Sequence, residues 1–258
     1  MTTTAGLEVE QRASTLWLTL DRPERRNALT VELVEAVGDA LAAADGEGEV
    51  RAAVITGAGS AFCAGGDLPS LSRVADGGAG AATDAIYSRF HRMVGLLGSV
   101  GFPVIAAVNG PAMGAGLDLA LACDLRIAAE DARFASSWIN VGLVPGMGGA
   151  HLLTRAVGST RAAELVLLGR TIDASTAHTW GLVNTVVSAD GLREEVDAVA
   201  ERLASLSRPA VRSSKASLRR AGLGSFDAEL AALGAVQGGL LAGDDFRAMA
   251  AKMLGRAR

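Results

Sequence analysis

The sequence is poor in the residues that build stapled or charged frameworks. It holds two cysteines, Cys63 and Cys123, in 258 residues. Two thiols cannot form a disulfide scaffold in a chain this long. Lys and Arg total 24 against 28 Asp and Glu, a net charge of −4. That lack of positive charge argues against bulk nucleic-acid binding. Continuous apolar runs are missing too. The two longest uncharged stretches, 93–117 and 134–154, are broken by Gly, Pro and Asn, so no membrane span is expected. The N-terminus carries Glu8 and Glu10 and no apolar signal segment. A cytoplasmic protein is the expectation.

What is present is hydrophobic mass. Half of the residues are hydrophobic and 20% are charged. That supports one well-filled core with an appended helical segment and excludes global disorder. The 32 glycines follow no Gly-X-Y period. They point to tight turns and close backbone approaches instead.

Patterning gives the order of elements. Leu7–Leu20 alternates loosely and predicts two short strands in a hairpin. Residues 21–27 form a polar turn. Thr30 is placed to cap a helix whose Leu33, Val34, Val37 and Leu41 share one face, with Gly46 and Gly48 ending it. A strand follows at Ala52–Thr56, then a Gly-rich loop to Asp67. Residues 69–83 are rich in Gly, Ala and Ser, show no period and predict a mobile loop. A helix over Asp84–Gly98, a strand over Pro103–Val108, a helix from Gly114-Ala115-Gly116 to Ala122 and a strand over Leu125–Ala128 come next. This alternation predicts an α/β chain with a parallel sheet. Beyond residue 148 the reading is helices around 159–168, 190–206, 208–221, 225–241 and 245–254, with one strand at Leu182–Val187.

Two segments share one logic. Each places a small-residue turn directly after a buried strand: Ala61-Phe62-Cys63-Ala64-Gly65-Gly66-Asp67, and Asn109-Gly110-Pro111-Ala112-Met113-Gly114-Ala115-Gly116. Small residues let backbone N–H groups face a ligand. The second turn also opens a helix, whose first amides lack internal partners. Two such donors converging on one oxygen make an oxyanion hole; glycines serving tight packing are the competing reading.

These segments carry a family resemblance. Arg22-Pro23 through Asn27-Ala28-Leu29, Ala61–Leu68, Pro103–Asn109 with Gly114–Asp124, and Val144-Pro145-Gly146-Met147-Gly148-Gly149 resemble the crotonase (enoyl-CoA hydratase/isomerase) superfamily. Leu152-Leu153-Thr154-Arg155, Gly169-Arg170 and Gly181-Leu182-Val183 continue the pattern, which spans residues 10–220 in order. The resemblance implies an α/β crotonase-like spiral of ββα units over 1–195 and a C-terminal helical trimerisation region over 196–258. It implies a homotrimer or a dimer of trimers, a coenzyme A thioester as substrate, no tightly bound cofactor and no metal.

Carried over by motif, the oxyanion donors would be the amides of Ala64 and Ala115. Adenine and pantetheine would lie along Arg25, Arg26, Ala28, Ala61 and Ala64. Arg25 and Arg26 would pair with CoA phosphates, or simply form a solvated turn. Asp67, Leu68, Met113, Gly114, Trp138 and Gly146 complete the expected substrate contacts. Met113, Met147 and Trp138 would form an apolar acyl pocket or pack in the core.

The acid/base positions depart from the family pattern. Hydratases resembling this chain use two glutamates. The first matches Asp118, about 1.5 Å shorter in reach. The second matches Trp138, which cannot exchange a proton with substrate. A position where some isomerases resembling this chain carry an Asp is Gly146. Asp118 is thus the best acid/base candidate, with helix capping as its alternative role. The helix dipole would lower its pKa and burial would raise it. His91, with Trp138, matches the aromatic pocket of the family's 4-chlorobenzoyl-CoA dehalogenase, whose nucleophilic Asp is Gly146 here. That hints at a flat or cyclic acyl group; a structural or surface histidine is the plainer reading. Cys63 reads as a packed residue, and His151 and His178 as helix-surface residues.

The expectation is double-bond isomerisation with Asp118 as acid/base. Its rivals are a hydratase with a rearranged water site, a thioester or C–C hydrolase using His91, and a non-catalytic acyl-CoA binder. Arg212, Lys215, Arg219 and Arg220 cluster on one segment without making an obvious RNA-binding surface.

Overall fold

The computed structural model describes residues 2–84, 88–222 and 226–256. The chain opens with strands β1 (Thr2–Thr4), β2 (Leu7–Arg12) and β3 (Thr15–Leu20), the last two forming the expected hairpin. Helix α1 (Val31–Glu47) follows. The Thr30 side chain caps it by accepting from the Leu33 amide, and Gly48 closes it in the left-handed region. Leu33, Val34, Val37 and Leu41 are all fully buried, as the helical period requires.

Strand β4 (Ala52–Gly57) leads to α2 (Leu68–Ala75) and α3 (Gly78–Ala82). Here the structure corrects the sequence reading: most of 69–83 is helical rather than a loop. Asp67 caps α2 by accepting from the Ser70 amide, and Pro69 lies in its first turn, where a missing N–H costs nothing. The helix expected over 84–98 includes 85–87, outside the described residues; its remainder is α4 (Ser88–Ser99).

Strands β5 (Val104–Val108) and β6 (Ala112–Met113), helix α5 (Ala115–Ala122), and strands β7 (Leu125–Ala129) and β8 (Arg133–Ala135) come next. Then follow α6 (Gly149–Leu168), interrupted at Gly158, β9 (Thr171–Asp173), α7 (Ala174–Thr179) and β10 (Thr185–Val187). Helices α8 (Leu192–Ala204), α9 (Arg208–Ala221), α10 (Phe226–Ala242) and α11 (Asp244–Arg256) end the chain.

The main sheet has seven strands in the order β1-β2-β3-β4-β5-β7-β10, parallel from β3 onward. Its central strands are buried on both faces, which is why they read as apolar runs. Leu16, Leu18, Ala53, Ile55, Val104, Ala106 and Val108 face the larger core, shared with α1, α4 and α5. Trp17, Val54, Ile105, Ala107 and Ile127 face a smaller core covered by Leu192, Val196 and Ala200 of α8. The boundary expected at 195/196 therefore falls inside a helix that covers the sheet.

A second sheet, β6-β8-β9, was not legible in the sequence. Lys215 of α9 fastens the helical region to the core. Its buried ammonium donates to the carbonyls of Leu97 (2.7 Å) and Phe102 (2.9 Å) and pairs with Asp124 (2.8 Å). Arg220 pairs with Glu229 of α10. The basic cluster on α9 is thus partly committed to internal contacts.

Candidate active site

The two small-residue turns lie against one another. The Cys63 amide donates to the Pro111 carbonyl (3.1 Å), and the Met113 amide donates to the Cys63 carbonyl (2.9 Å). A Cβ on Gly116 would meet the Cys63 carbonyl oxygen at 2.2 Å, so only glycine fits there. The first turn also pairs on its other side with residues 26–29. The Ala64 amide donates to the Arg26 carbonyl (2.9 Å), Leu29 to Gly65 (2.7 Å) and Asp67 to Leu29 (2.9 Å).

That pairing changes the assignment of the donors. The Ala64 amide, expected to face substrate, is spent on Arg26. Gly66 bridges Leu29, with the 65 carbonyl and 67 amide turned toward that residue. Extended backbone alternates direction, so the Gly66 amide turns the opposite way, toward Gly114 and Ala115. It has no hydrogen-bond partner among the described residues. Ala115 opens α5, and its amide has no helical acceptor behind it. Gly65 lies close by: a Cβ built on it would sit 3.6 Å from the Ala115 nitrogen. Gly66 and Ala115, not Ala64 and Ala115, are therefore the pair of amides left to face a ligand.

Both line a cavity of about 470 Å³. Of the expected contacts, Arg25, Arg26, Ala28, Ala64, Asp67, Leu68, Gly114, Ala115 and Trp138 also line it. Arg25 and Arg26 are exposed at its edge. The Asp67 carboxylate is already engaged, capping α2 and pairing with Arg22 at 3.3 Å. That contact and the α2 cap hold its pKa below the usual value against the effect of burial. Ala61, Met113 and Gly146 lie outside the lining. The Ala61 carbonyl accepts from the Asn27 side chain (2.8 Å), and Met113 bonds to Cys63. Sequence reasoning missed Gly66, Asn140, Val141 and Leu143; the last three belong to a 3-10 turn over Ser137–Val141 and its exit.

Asp118 sits behind this wall. It is fully buried and does not line the cavity. The Trp138 indole N–H donates to its Oδ2 at 3.1 Å. Trp138 itself lines the cavity, so the indole touches both the cavity and the carboxyl. The other oxygen, Oδ1, is buried and accepts no hydrogen bond. It packs on Gly149, where a Cβ would fall 1.9 Å away. Burial pushes the Asp118 pKa up to about 7; the Trp138 N–H and the nearby Met147 amide oppose the rise. Both neutral and ionised forms are thus accessible near neutral pH.

His91 is exposed, and its Nε2 bonds to the Gly146 carbonyl at 2.9 Å, tying α4 to the loop before α6. The structure does not bring it into the cavity lining. Cys63 is buried, and burial pushes its thiol up to about 12, so it is no nucleophile at neutral pH. No cluster of metal-ligating side chains occurs among the described residues. Nor is any described helix long and apolar enough to cross a membrane.

Comparison with known proteins places the chain in a family. The enoyl-CoA hydratase/isomerase family model matches residues 10–250. A Mycobacterium leprae protein named "Probable enoyl-CoA hydratase echA8" is 41% identical over 214 residues, covering 83% of this chain and 79% of that one. The Escherichia coli 1,2-epoxyphenylacetyl-CoA isomerase is 38% identical over 187 residues, 72% of this chain and 71% of its own. The crystal structure of an enoyl-CoA hydratase from Polaromonas sp. JS666 superposes with a TM-score of 0.92 at 36% identity, covering 97% of each chain. The family match over most of the chain, the identity to relatives and the superposition together settle the membership: the chain belongs to the enoyl-CoA hydratase/isomerase family of acyl-CoA enzymes, with the crotonase fold.

Proposed function

We propose that this enzyme moves a double bond within an acyl-CoA, with Asp118 carrying the proton. The observation behind this reading is the pairing of two unspent amides, Gly66 and Ala115, with one buried carboxyl whose pKa lies near 7. The amides would hold the thioester oxygen and stabilise the enolate formed when a proton leaves the α-carbon. Asp118 would take that proton and return it to another carbon. Arg25 and Arg26 at the edge would meet the CoA phosphates. The wall of Trp138, Val141, Leu143 and Leu68 suits an apolar or flat acyl group.

Hydration is the competing reading, carried by relatives that bear the hydratase name. It needs a water placed and activated, and here an indole N–H is bonded to the Asp118 carboxyl while the Asp67 carboxylate is engaged with Arg22 and the α2 cap. Incubation in deuterated water with linear, cyclic and aromatic acyl-CoAs separates the readings. A shifted double bond without added water supports isomerisation, and the deuterium taken up with it measures how far the transferred proton mixes with solvent. Hydrated product supports hydration. Binding with no shifted double bond, no exchange and no hydration across the panel leaves a non-catalytic acyl-CoA binder.

Assembly as a trimer or a dimer of trimers belongs to the same reading. Leu167, Leu168 and Leu218, each about two-thirds or more exposed in the single chain, are apolar surface that an assembly would cover. Light scattering at micromolar concentration tests it, and a monomer would overturn it.

A further inference from the structure

We propose that Trp138 is a positioning residue that keeps Asp118 out of contact with water until the acyl group takes the indole's place, so that a proton lifted from one carbon returns to another without passing to solvent. The inference rests on the reading of Asp118 as the acid/base and goes beyond it by assigning the indole a role in the outcome. Three observations carry it. Asp118 is fully buried, and a side chain that lines the cavity bonds to it, the Trp138 N–H donating to Oδ2. Behind, Oδ1 has no hydrogen-bond partner and is closed off by the Gly149 backbone. The indole edge lies over Gly114: a Cβ there would stand 3.9 Å from Trp138 Cε2 and Nε1. Gly114 immediately precedes the Ala115 amide, so the indole occupies the space beside the thioester oxygen where the reacting carbons belong.

The acyl group cannot reach Oδ2 while the indole is there. It reaches the carboxyl by taking the indole's place, and the carboxyl passes from one apolar cover to another. The Ser137–Val141 turn that carries Trp138 ends at Gly142 in the left-handed region, and its Ile139 and Val141 are half exposed beside the cavity. Those side chains gain cover when an acyl group enters. The proton balance is closed. The C2–H bond breaks, its electrons form the dienolate, and the proton sits on Asp118. The dienolate then collapses, C4 takes the proton from Asp118, and no co-reactant is needed.

The test uses trans-3-hexenoyl-CoA carrying deuterium at C2, followed by mass spectrometry of the 2-enoyl product. Wild type should keep most of the transferred label at C4. Trp138→Ala should lose it to water, with retention falling at least five-fold. Trp138→Phe keeps a ring and loses the N–H. It should retain the label but show a kcat about ten-fold lower at a similar KM. Equal retention in wild type and Trp138→Ala, or complete loss of label in wild type, would overturn the proposal.

A second measurement does not depend on turnover. The chain has three tryptophans, and 5-fluorotryptophan labelling gives each a fluorine signal; Trp138→Phe assigns the third. Saturating phenylacetyl-CoA should shift the Trp138 signal, and free CoA should not. An unmoved Trp138 signal with phenylacetyl-CoA bound would overturn the displacement, while a shifted double bond in trans-3-hexenoyl-CoA would still stand for the isomerase reading. An unmoved double bond with a shifted signal would instead count against the isomerase reading alone.

Discussion

The two sides of the cavity are made of different material. One side is backbone: the Gly66 and Ala115 amides, fixed by strand pairing and a helix start. The other is side chain: a carboxyl, an indole and the glycine that makes room for them. The backbone side depends on small residues and on the pairing of distant segments. The side-chain side depends on one hydrogen bond and one tight contact. In the proposed reaction the first holds the thioester oxygen and the second moves the proton.

The contrast is sharpest at Asp118. Asp118→Asn keeps an acceptor for the Trp138 N–H but removes the proposed proton carrier. It should slow α-carbon exchange by about 10²- to 10⁴-fold with acyl-CoA affinity nearly unchanged. The same variant should be more stable above neutral pH. A carboxyl with its folded pKa raised favours folding fully below about pH 4, and that contribution is lost as pH rises through about 7. Melting curves of wild type and variant should therefore converge below pH 4 and diverge by pH 8. Divergence in the opposite sense would mean the carboxyl is not held neutral.

The backbone side has its own cleavage test. Ala115 is the first residue of α5, where proline is tolerated but has no N–H to give. Ala115→Pro should cost about 10²- to 10³-fold in turnover with little change in melting temperature. A fully active variant would remove this amide from the oxyanion site. A smaller effect is expected at the join between the two sides. Gly149→Ala forces a methyl into Asp118 Oδ1. It should destabilise the fold by about 1–3 kcal/mol, read by chemical denaturation, and should lower activity with it. The smallest effect lies at the cavity edge. Arg25→Ala and Arg26→Ala should each weaken acyl-CoA binding a few-fold, and less at high salt, as for exposed charges. Salt-independent losses would assign these side chains another role.

The strands and the capped helix were legible because their patterns are local. Leu16–Leu20 and Val104–Val108 are apolar runs bounded by turns, and Thr30 with its apolar stripe marks α1. The second sheet was not, because strands of two or three residues are shorter than any readable period. Residues 69–83 read as a loop because Gly, Ala and Ser carry little periodic signal; Asp67 and Pro69, which start α2, were the available clue. Asp118 and Trp138 were singled out because they match the family's two glutamate positions, but the hydrogen bond between them and the full burial of the carboxyl depend on tertiary packing. The choice of Ala64 as donor failed for a physical reason. Which way an amide points depends on its pairing with Arg26 and Leu29, more than thirty residues away in the chain. Parity along the turn then hands the role to Gly66.

The Lys215 clamp has a consequence for the order in which the molecule comes apart. One ammonium holds two carbonyls and a carboxylate of the core, so α9 must release three contacts together before it can leave. Helices α10 and α11 have no buried residue among those described and reach the rest of the molecule mainly through α9 and each other. The cooperative unit of the single chain thus ends near Ala221. Amide hydrogens beyond it should exchange through openings that leave the sheet intact, and those of α9 should exchange with the sheet.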